Sequence, residues 1–198
     1  MKHAVLNMPF VSMLFLAACA PSTPLVQAPE PTAVAISTLP VPPTDQPLSF
    51  VPATYRDEAN RFELDYPSDW SLDPNTQVGS RGSQAQLFSP GTTAETLAEG
   101  GSRLSITIYD WDPKGDLDAY VTQRRTAWDA SGFAVKKEST LNLLDGREAA
   151  AFLVQVPSVE TFFLYTTLGD RYLQIAGEGD LTLVAEIANT FRPTNFQP

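Results

Sequence analysis

The densest group of side chains that could do chemistry is a run of carboxylates in the middle of the chain. Four aspartates fall close together, at Asp110, Asp112, Asp116 and Asp118. Carboxylate oxygens are ligands that Ca²⁺ prefers, so these four residues are the candidate metal ligands. An EF-hand loop starting at Asp110 would need a bidentate glutamate where the chain has Val121. The run is therefore not an EF-hand, and we expect at most a weak cation site.

A second interpretation of the run needs no metal. Asp116 is a preferred N-cap type, and Asp118 would then stand in the first helical turn, where the helix dipole stabilises a negative charge. The run becomes a loop that leads from a strand into a helix. We favour this interpretation, and we predict no metal ligand, no cofactor and no catalytic residue.

The rest of the composition excludes several kinds of enzyme. The single histidine is His3 and the single cysteine is Cys19, so the chain after residue 19 has neither imidazole nor thiol. Ser-His-Asp triads, cysteine nucleophiles, Cys/His zinc sites and cysteine-ligated iron–sulfur clusters are excluded there. An enzyme that uses paired carboxylates, of the hydrolase type, stays open as the alternative function, because two acids are enough for such chemistry.

The net charge bears on the partners of the protein. Lys and Arg number 13 and Asp and Glu number 23, which gives a formal charge of −10. Such a balance argues against nucleic acid as a partner. The hydrophobic fraction of 43% is enough for a packed core, and 198 residues allow one domain of ordinary size.

The N-terminal residues have the pattern of a targeting segment. Residues 4–18 form a 15-residue apolar run, which is short for a membrane span and suits a signal peptide. The run ends in Leu16-Ala17-Ala18-Cys19, which resembles the lipobox of bacterial lipoprotein precursors. The resemblance implies that residues 1–18 are a lipoprotein signal peptide and that Cys19 is lipidated. The protein would then be held at the extracytoplasmic face of a cell membrane.

A spacer follows the cysteine. Residues 20–52 hold nine of the 17 prolines, which exclude a helix or a central strand. We therefore predict a disordered, extended tether over residues 19–52 and a globular domain over residues 53–198. The expected partners are the membrane, through the lipid on Cys19, and an envelope protein.

The predicted domain alternates strands with two helices. Alternating apolar residues indicate strands over 62–66, 84–89 and 104–109, and Asp145-Gly146 and Gly169-Asp170 indicate two hairpin turns. The segment 162–165 is apolar on both faces, which predicts a central strand. Asp116 and Asp180 are the expected caps of the helices, and the first helix should bury a stripe that consists of Leu117, Tyr120, Val121, Ala127 and Trp128.

Two further expectations concern the surface near the first helix. Trp111 stands beside two aspartates at a strand end, so it is the large aromatic residue that we expect to be exposed. Arg124 and Arg125 are expected to be solvated helix surface. Gly177–Asp180 is interpreted as a turn into the last helix.

These elements predict an α+β fold in which helices flank an antiparallel β-sheet. The segment Arg61–Trp70 reads RFELDYPSDW and resembles the F-x-x-x-Y-P-x-x-W start of PsbP-like domains, with a similarity that covers roughly residues 53–193. The resemblance implies an α/β/α sandwich and little chemistry. We therefore expect an envelope lipoprotein with a non-catalytic binding or accessory domain for a protein partner or small ligand.

Overall fold

The computed structural model describes residues 47–77 and 82–194. The predicted signal peptide, Cys19 and most of the predicted tether lie outside the described residues. The described elements are β1 (Pro52–Asp57), β2 (Phe62–Pro67), β3 (Ser71–Gln77), β4 (Gly82–Phe88), β5 (Arg103–Tyr109), α1 (Leu117–Ala130), β6 (Ala134–Asn142), β7 (Glu148–Val156), β8 (Val159–Leu168), β9 (Arg171–Glu178), α2 (Leu181–Asn189) and β10 (Arg192–Pro193). None of the helices in these two ranges has the length and apolar character that a bilayer crossing needs.

Two antiparallel sheets organise the domain. The larger has seven strands in the order β3-β4-β5-β9-β8-β7-β6, and the smaller has the order β1-β2-β10. Helix α1 packs on one face of the large sheet, while α2 and the small sheet pack on the other. This three-layer arrangement confirms the predicted α+β fold with helices flanking an antiparallel sheet.

The larger hydrophobic core lies between the large sheet and the layer formed by α2 and the small sheet. Strand β5 turns Leu104, Ile106 and Ile108 into this core, as its alternation predicts. Strand β8 is interior to the sheet, and its Phe162 and Tyr165 are buried on opposite faces. The prediction of a central strand covered on both sides is therefore confirmed.

Both helix caps form as predicted. The Asp116 carboxylate accepts a hydrogen bond from the backbone N–H of Ala119, and Asp180 caps α2 in the same way. The predicted stripe of α1 is wrong at Ala127, which is exposed. Ala127 lies at the edge of the stripe. Its methyl group is too short to reach the sheet from there, whereas the longer side chain of Tyr120 reaches it.

The small sheet was not predicted as a separate layer. Strand β1 alternates little in burial, and β10 has only two residues, so neither has a strong pattern in the sequence. Tertiary contacts hold β10 instead, because Arg192 pairs with Glu63 at 2.6 Å and with Asp65 at 2.8 Å.

Contacts with the domain begin a few residues before the predicted start at residue 53. The backbone N–H of Ser49 donates to the Glu186 carboxylate at 2.6 Å. Phe50 packs against the larger core. The exact boundary between tether and domain stays a prediction.

Candidate ligand-binding cleft

Helix α1 covers only one half of its face of the large sheet. Over β7, β8 and β9 it buries an aromatic layer that includes Tyr120, Trp128, Phe152, Tyr165 and Tyr172. On β4 and β5 the same face of the sheet carries mostly amide, hydroxyl and charged side chains. The candidate site lies on this uncovered, polar half.

Strand register brings the polar side chains into a row across the sheet. Gln86 of β4 is directly opposite Ser105 of β5, and Ser105 is opposite Ala176 of β9. The next row along the strands contains Gln84 and Gln174. Because side chains alternate between faces, all of these residues point away from the larger core.

This face is concave and forms a cleft of about 250 Å³. Its walls combine two carboxamides, two hydroxyls, one ion pair and several apolar groups. The lining residues are Gln84, Gln86, Phe88, Ala94, Arg103, Leu104, Ser105, Thr161, Ala176, Gly177 and Glu178.

The charged groups of the cleft neutralise each other. Arg103 donates from Nε and Nη2 to one oxygen of Glu178, at 3.0 and 2.8 Å. Its Nη1 donates to the carbonyl of Ala94 at 2.8 Å. The guanidinium therefore ties the sheet to the loop that follows β4, and the described lining residues carry no net charge.

The loop of residues 89–102 forms one end wall of the cleft. The Ser102 hydroxyl accepts from the Asp180 N–H at 2.8 Å, and the Ser102 N–H donates to the Ser89 hydroxyl at 2.8 Å. Gly179 allows this close approach, because a Cβ atom there would lie 2.1 Å from the Gly101 carbonyl oxygen. The start of α2 and the loop are thereby fastened together.

Some polar groups of this face have no hydrogen-bond partner among the described residues. The Thr161 hydroxyl is buried and unpartnered, and Thr161 lines the cleft. The Gln174 Oε1 atom is also buried and unpartnered. An unsatisfied buried polar group is costly and needs an explanation.

A cluster of tyrosines marks the boundary between the covered and open halves. Tyr120 stacks on Tyr172 with ring centroids 4.3 Å apart. Burial raises the pKa of both Tyr120 and Tyr165. The prediction that Arg124 is solvated is wrong, because its guanidinium is half-buried beside Tyr165, and its buried Nε atom has no hydrogen-bond partner.

Arg125 and Trp111 also differ from the expectation. Arg125 is half-buried, forms an ion pair with Glu138 and lies over the ring of Phe152 at 5.3 Å from the centroid. Trp111 is partly buried rather than exposed, since its ring packs edge-on against Tyr120 with centroids 6.2 Å apart. The acidic neighbours of Trp111 misled the prediction, because their carboxylates point to solvent while the indole turns toward α1.

The four aspartates of the acidic run lie in the loop before α1 and in its first turn. Asp110, Asp112, Asp116 and Asp118 are all exposed. The Tyr172 hydroxyl accepts from the Asp116 N–H at 2.9 Å and donates to the Pro113 carbonyl, so it anchors this loop. Within residues 47–77 and 82–194 no three acidic, histidine or cysteine side chains are grouped as metal ligands.

Comparison with known proteins relates the chain through its fold. The solution structure of the cyanobacterial PsbP protein CyanoP from Synechocystis sp. PCC 6803 superposes with a TM-score of 0.52 at 16% identity, covering 72% of this chain and 92% of that one. The domain has a PsbP-like fold.

The Ran-binding protein Mog1p of Saccharomyces cerevisiae has a TM-score of 0.48 at 13% identity, over 73% of this chain and 96% of that one. No protein-family profile matches the sequence. No curated protein matches it either.

The sequence interpretation missed the residues of the cleft. The signal was present in β4 and β5, where Gln84, Gln86 and Ser105 alternate with buried apolar residues in the way of a strand with one open face. Glu178 was missed because residues 177–180 were interpreted as a turn, whereas β9 continues to Glu178. Thr161 gave no signal, because only the fold shows that this residue lines a cleft.

Proposed function

We propose that this protein is a lipid-anchored lipoprotein at the extracytoplasmic face of a cell membrane, with a PsbP-like domain that is a non-catalytic binding module. The Leu16-Ala17-Ala18-Cys19 sequence supports the anchoring, and the proline-rich segment after it supports a spacer role. The cleft on the open face of the large sheet is the proposed binding site for a small ligand.

One observation carries the choice of binding over catalysis. Hydrolysis by carboxylates needs two acids that flank the scissile bond, about 5 to 10 Å apart. Among the lining residues in the described part of the chain, Glu178 is the one carboxylate, and Arg103 neutralises it. The cleft therefore has hydrogen-bonding groups to hold a molecule and no pair of acids to cleave one.

Metabolic labelling with radioactive palmitate tests the anchoring. We expect label in the wild-type chain and in a Ser22→Ala control, and none in Cys19→Ser. Acyl chains stabilise membrane binding by about 0.8 kcal/mol per buried CH₂, so the lipid on Cys19 would hold the mature chain in the membrane. Cys19→Ser should remain as an unlabelled, uncleaved precursor, which its larger mass would reveal. A wild-type chain without label would contradict the proposal.

A thermal-shift screen of the purified chain against small polar metabolites tests the binding site. A ligand that binds only the folded state raises the unfolding temperature. Ser105→Trp should fill the cleft and abolish the shift, whereas Thr140→Trp, on the exposed β6 edge strand, should retain it. If a compound stabilises Ser105→Trp as much as the wild type, the cleft is not the binding site.

A further inference from the structure

We infer that the cleft takes an uncharged, hydroxyl-rich molecule of about the size of a monosaccharide. This inference rests on the proposed binding function and names the chemical class of its ligand. Four properties of the cleft support it, namely its volume, its charge, its hydrogen-bonding groups and its apolar wall.

The volume limits the ligand to a small molecule. A cavity of about 250 Å³ lies below the usual range for drug-sized ligands, which is about 300 to 1,000 Å³. A single sugar ring with about a dozen non-hydrogen atoms fits such a volume.

The charges favour a neutral ligand. Among the described residues that line the cleft, the charged ones are Arg103 and Glu178, and they hydrogen-bond to each other. An anionic or cationic ligand would lose its hydration without gaining a free counter-charge, which is strongly unfavourable. A neutral ligand avoids this cost.

The hydrogen-bonding groups favour hydroxyls on the ligand. No side-chain hydrogen bond of Gln84 or Gln86 occurs within the described part of the chain, and the Thr161 hydroxyl is buried without a partner. A carboxamide presents both donors and an acceptor, and so does a threonine hydroxyl. Ligand hydroxyls, which donate and accept as well, can satisfy the two carboxamides directly, and they can satisfy the buried Thr161 hydroxyl once the side chains around it adjust to the ligand.

The apolar wall suits the carbon face of a sugar ring. Phe88 and Ala176 line the cleft beside the polar groups. Apolar surface next to a few convergent polar groups is the usual composition of a small-molecule site. The amphipathic character of a sugar, with C–H groups on its faces and hydroxyls at its edge, matches this arrangement.

Calorimetric titration of the purified full-length chain in mild detergent tests the inference. The neutral probes are glucose, galactose and N-acetylglucosamine, and the charged probes are glucuronate and glucosamine. We expect at least one neutral sugar to bind about tenfold or more tightly than either charged probe, because charge burial is uncompensated in the cleft. Equal or tighter binding of a charged probe, or no binding of any neutral sugar, would overturn the inference.

Thr161→Val provides the matched variant, because it replaces the hydroxyl with a methyl group of the same shape. We expect the affinity of this variant for the sugar to fall about five- to tenfold, and we expect the variant to keep the thermal stability of the wild type. Thr166→Val, on the same strand, removes a bonded hydroxyl that donates to the Glu148 carbonyl at 2.8 Å, and it should lower stability and leave affinity unchanged. An unchanged affinity in Thr161→Val would contradict the inference.

The two proposals fail in different ways. The metabolite screen can find compounds whose thermal shift is abolished by Ser105→Trp. If none of these compounds is a neutral polyol, the binding function stands and the ligand class is wrong. If no compound depends on the cleft at all, the binding function itself fails.

Discussion

Arg103 and Glu178 face each other as a cross-strand pair at the ends of β5 and β9, and two hydrogen bonds of 3.0 and 2.8 Å join them. The same guanidinium holds the Ala94 carbonyl at 2.8 Å. One side chain therefore links two strands to the loop that forms an end of the cleft. Its position gives the pair a structural role in addition to its place in the proposed binding site.

We expect Arg103→Met and Glu178→Gln each to lower the free energy of unfolding by about 1 kcal/mol, since the pair is only partly exposed. A double-mutant cycle should give a coupling energy of about 0.5 to 1 kcal/mol. Urea unfolding measures both quantities. Arg56→Met is the control, because the Arg56 side chain is 62% exposed and should contribute little. A coupling energy of zero for Arg103 and Glu178 would contradict their structural role.

Gly177 underlies the cleft from the opposite face of the sheet, where α2 packs. A Cβ atom at this position would lie 2.5 Å from Cγ1 of Val184 and 3.1 Å from the Arg103 carbonyl oxygen. Gly177→Ala should therefore lower the free energy of unfolding by about 1 to 3 kcal/mol through overpacking. Chemical denaturation measures the change.

A rescue experiment separates overpacking from other effects of the Gly177→Ala change. Val184→Ala removes the methyl groups that the new Cβ would meet. The double variant should therefore lose less free energy of unfolding than the two single variants lose together. Strict additivity of the two changes would argue against direct contact between these positions.

The contacts of the Asp65 carboxylate predict that the free energy of unfolding depends on pH. Burial raises the pKa of Asp65, but hydrogen bonds from Arg192 and Thr54 outweigh burial, so the pKa lies below its ordinary value. A carboxyl with a lowered folded-state pKa stabilises the fold fully above its unfolded pKa, which is about 3.9. This stabilisation is lost as the pH falls from the unfolded-state pKa through the lower folded-state pKa of Asp65.

We expect the free energy of unfolding of the wild type to fall below about pH 4, and we expect a smaller fall in Asp65→Asn. Denaturant unfolding at a series of pH values measures the slope. Asp69→Asn, at an exposed position, serves as the control and should keep the wild-type slope. An Asp65→Asn variant with an unchanged acid slope would show that the Arg192 contacts do not stabilise the ionised form.

The contacts of Ser49 and Phe50 predict where the stable domain begins. A chain of residues 47–198 should unfold cooperatively and be about 1 kcal/mol or more stable than residues 53–198, because Phe50 buries apolar surface and Ser49 bonds to Glu186. Thermal unfolding of both chains measures the difference. In the longer chain Phe50→Ala should remove most of this extra stability. Val51→Ala, at a residue that is 74% exposed, should change the stability little. Equal stability of the two chains would place the start of the domain at residue 53.

The elements with a strong local pattern could be predicted from the sequence. Aspartates before the helices, glycines in the tight hairpins and apolar alternation along β5 each act over a few neighbouring residues, and the structure agrees with all three. Cys19 lies outside the described residues, and its lipidation stays a prediction from sequence.

The tertiary structure alone decided where the open face of the sheet lies. The sequence shows that Gln86 and Ser105 alternate with core residues, but it does not show that α1 stops short of them. Thr161 and Glu178 join Gln86 and Ser105 in the same cleft only because β9 pairs with β5, a neighbour that is not consecutive with it in the chain. Such a site depends on contacts between residues far apart in the chain, and no local pattern contains that information.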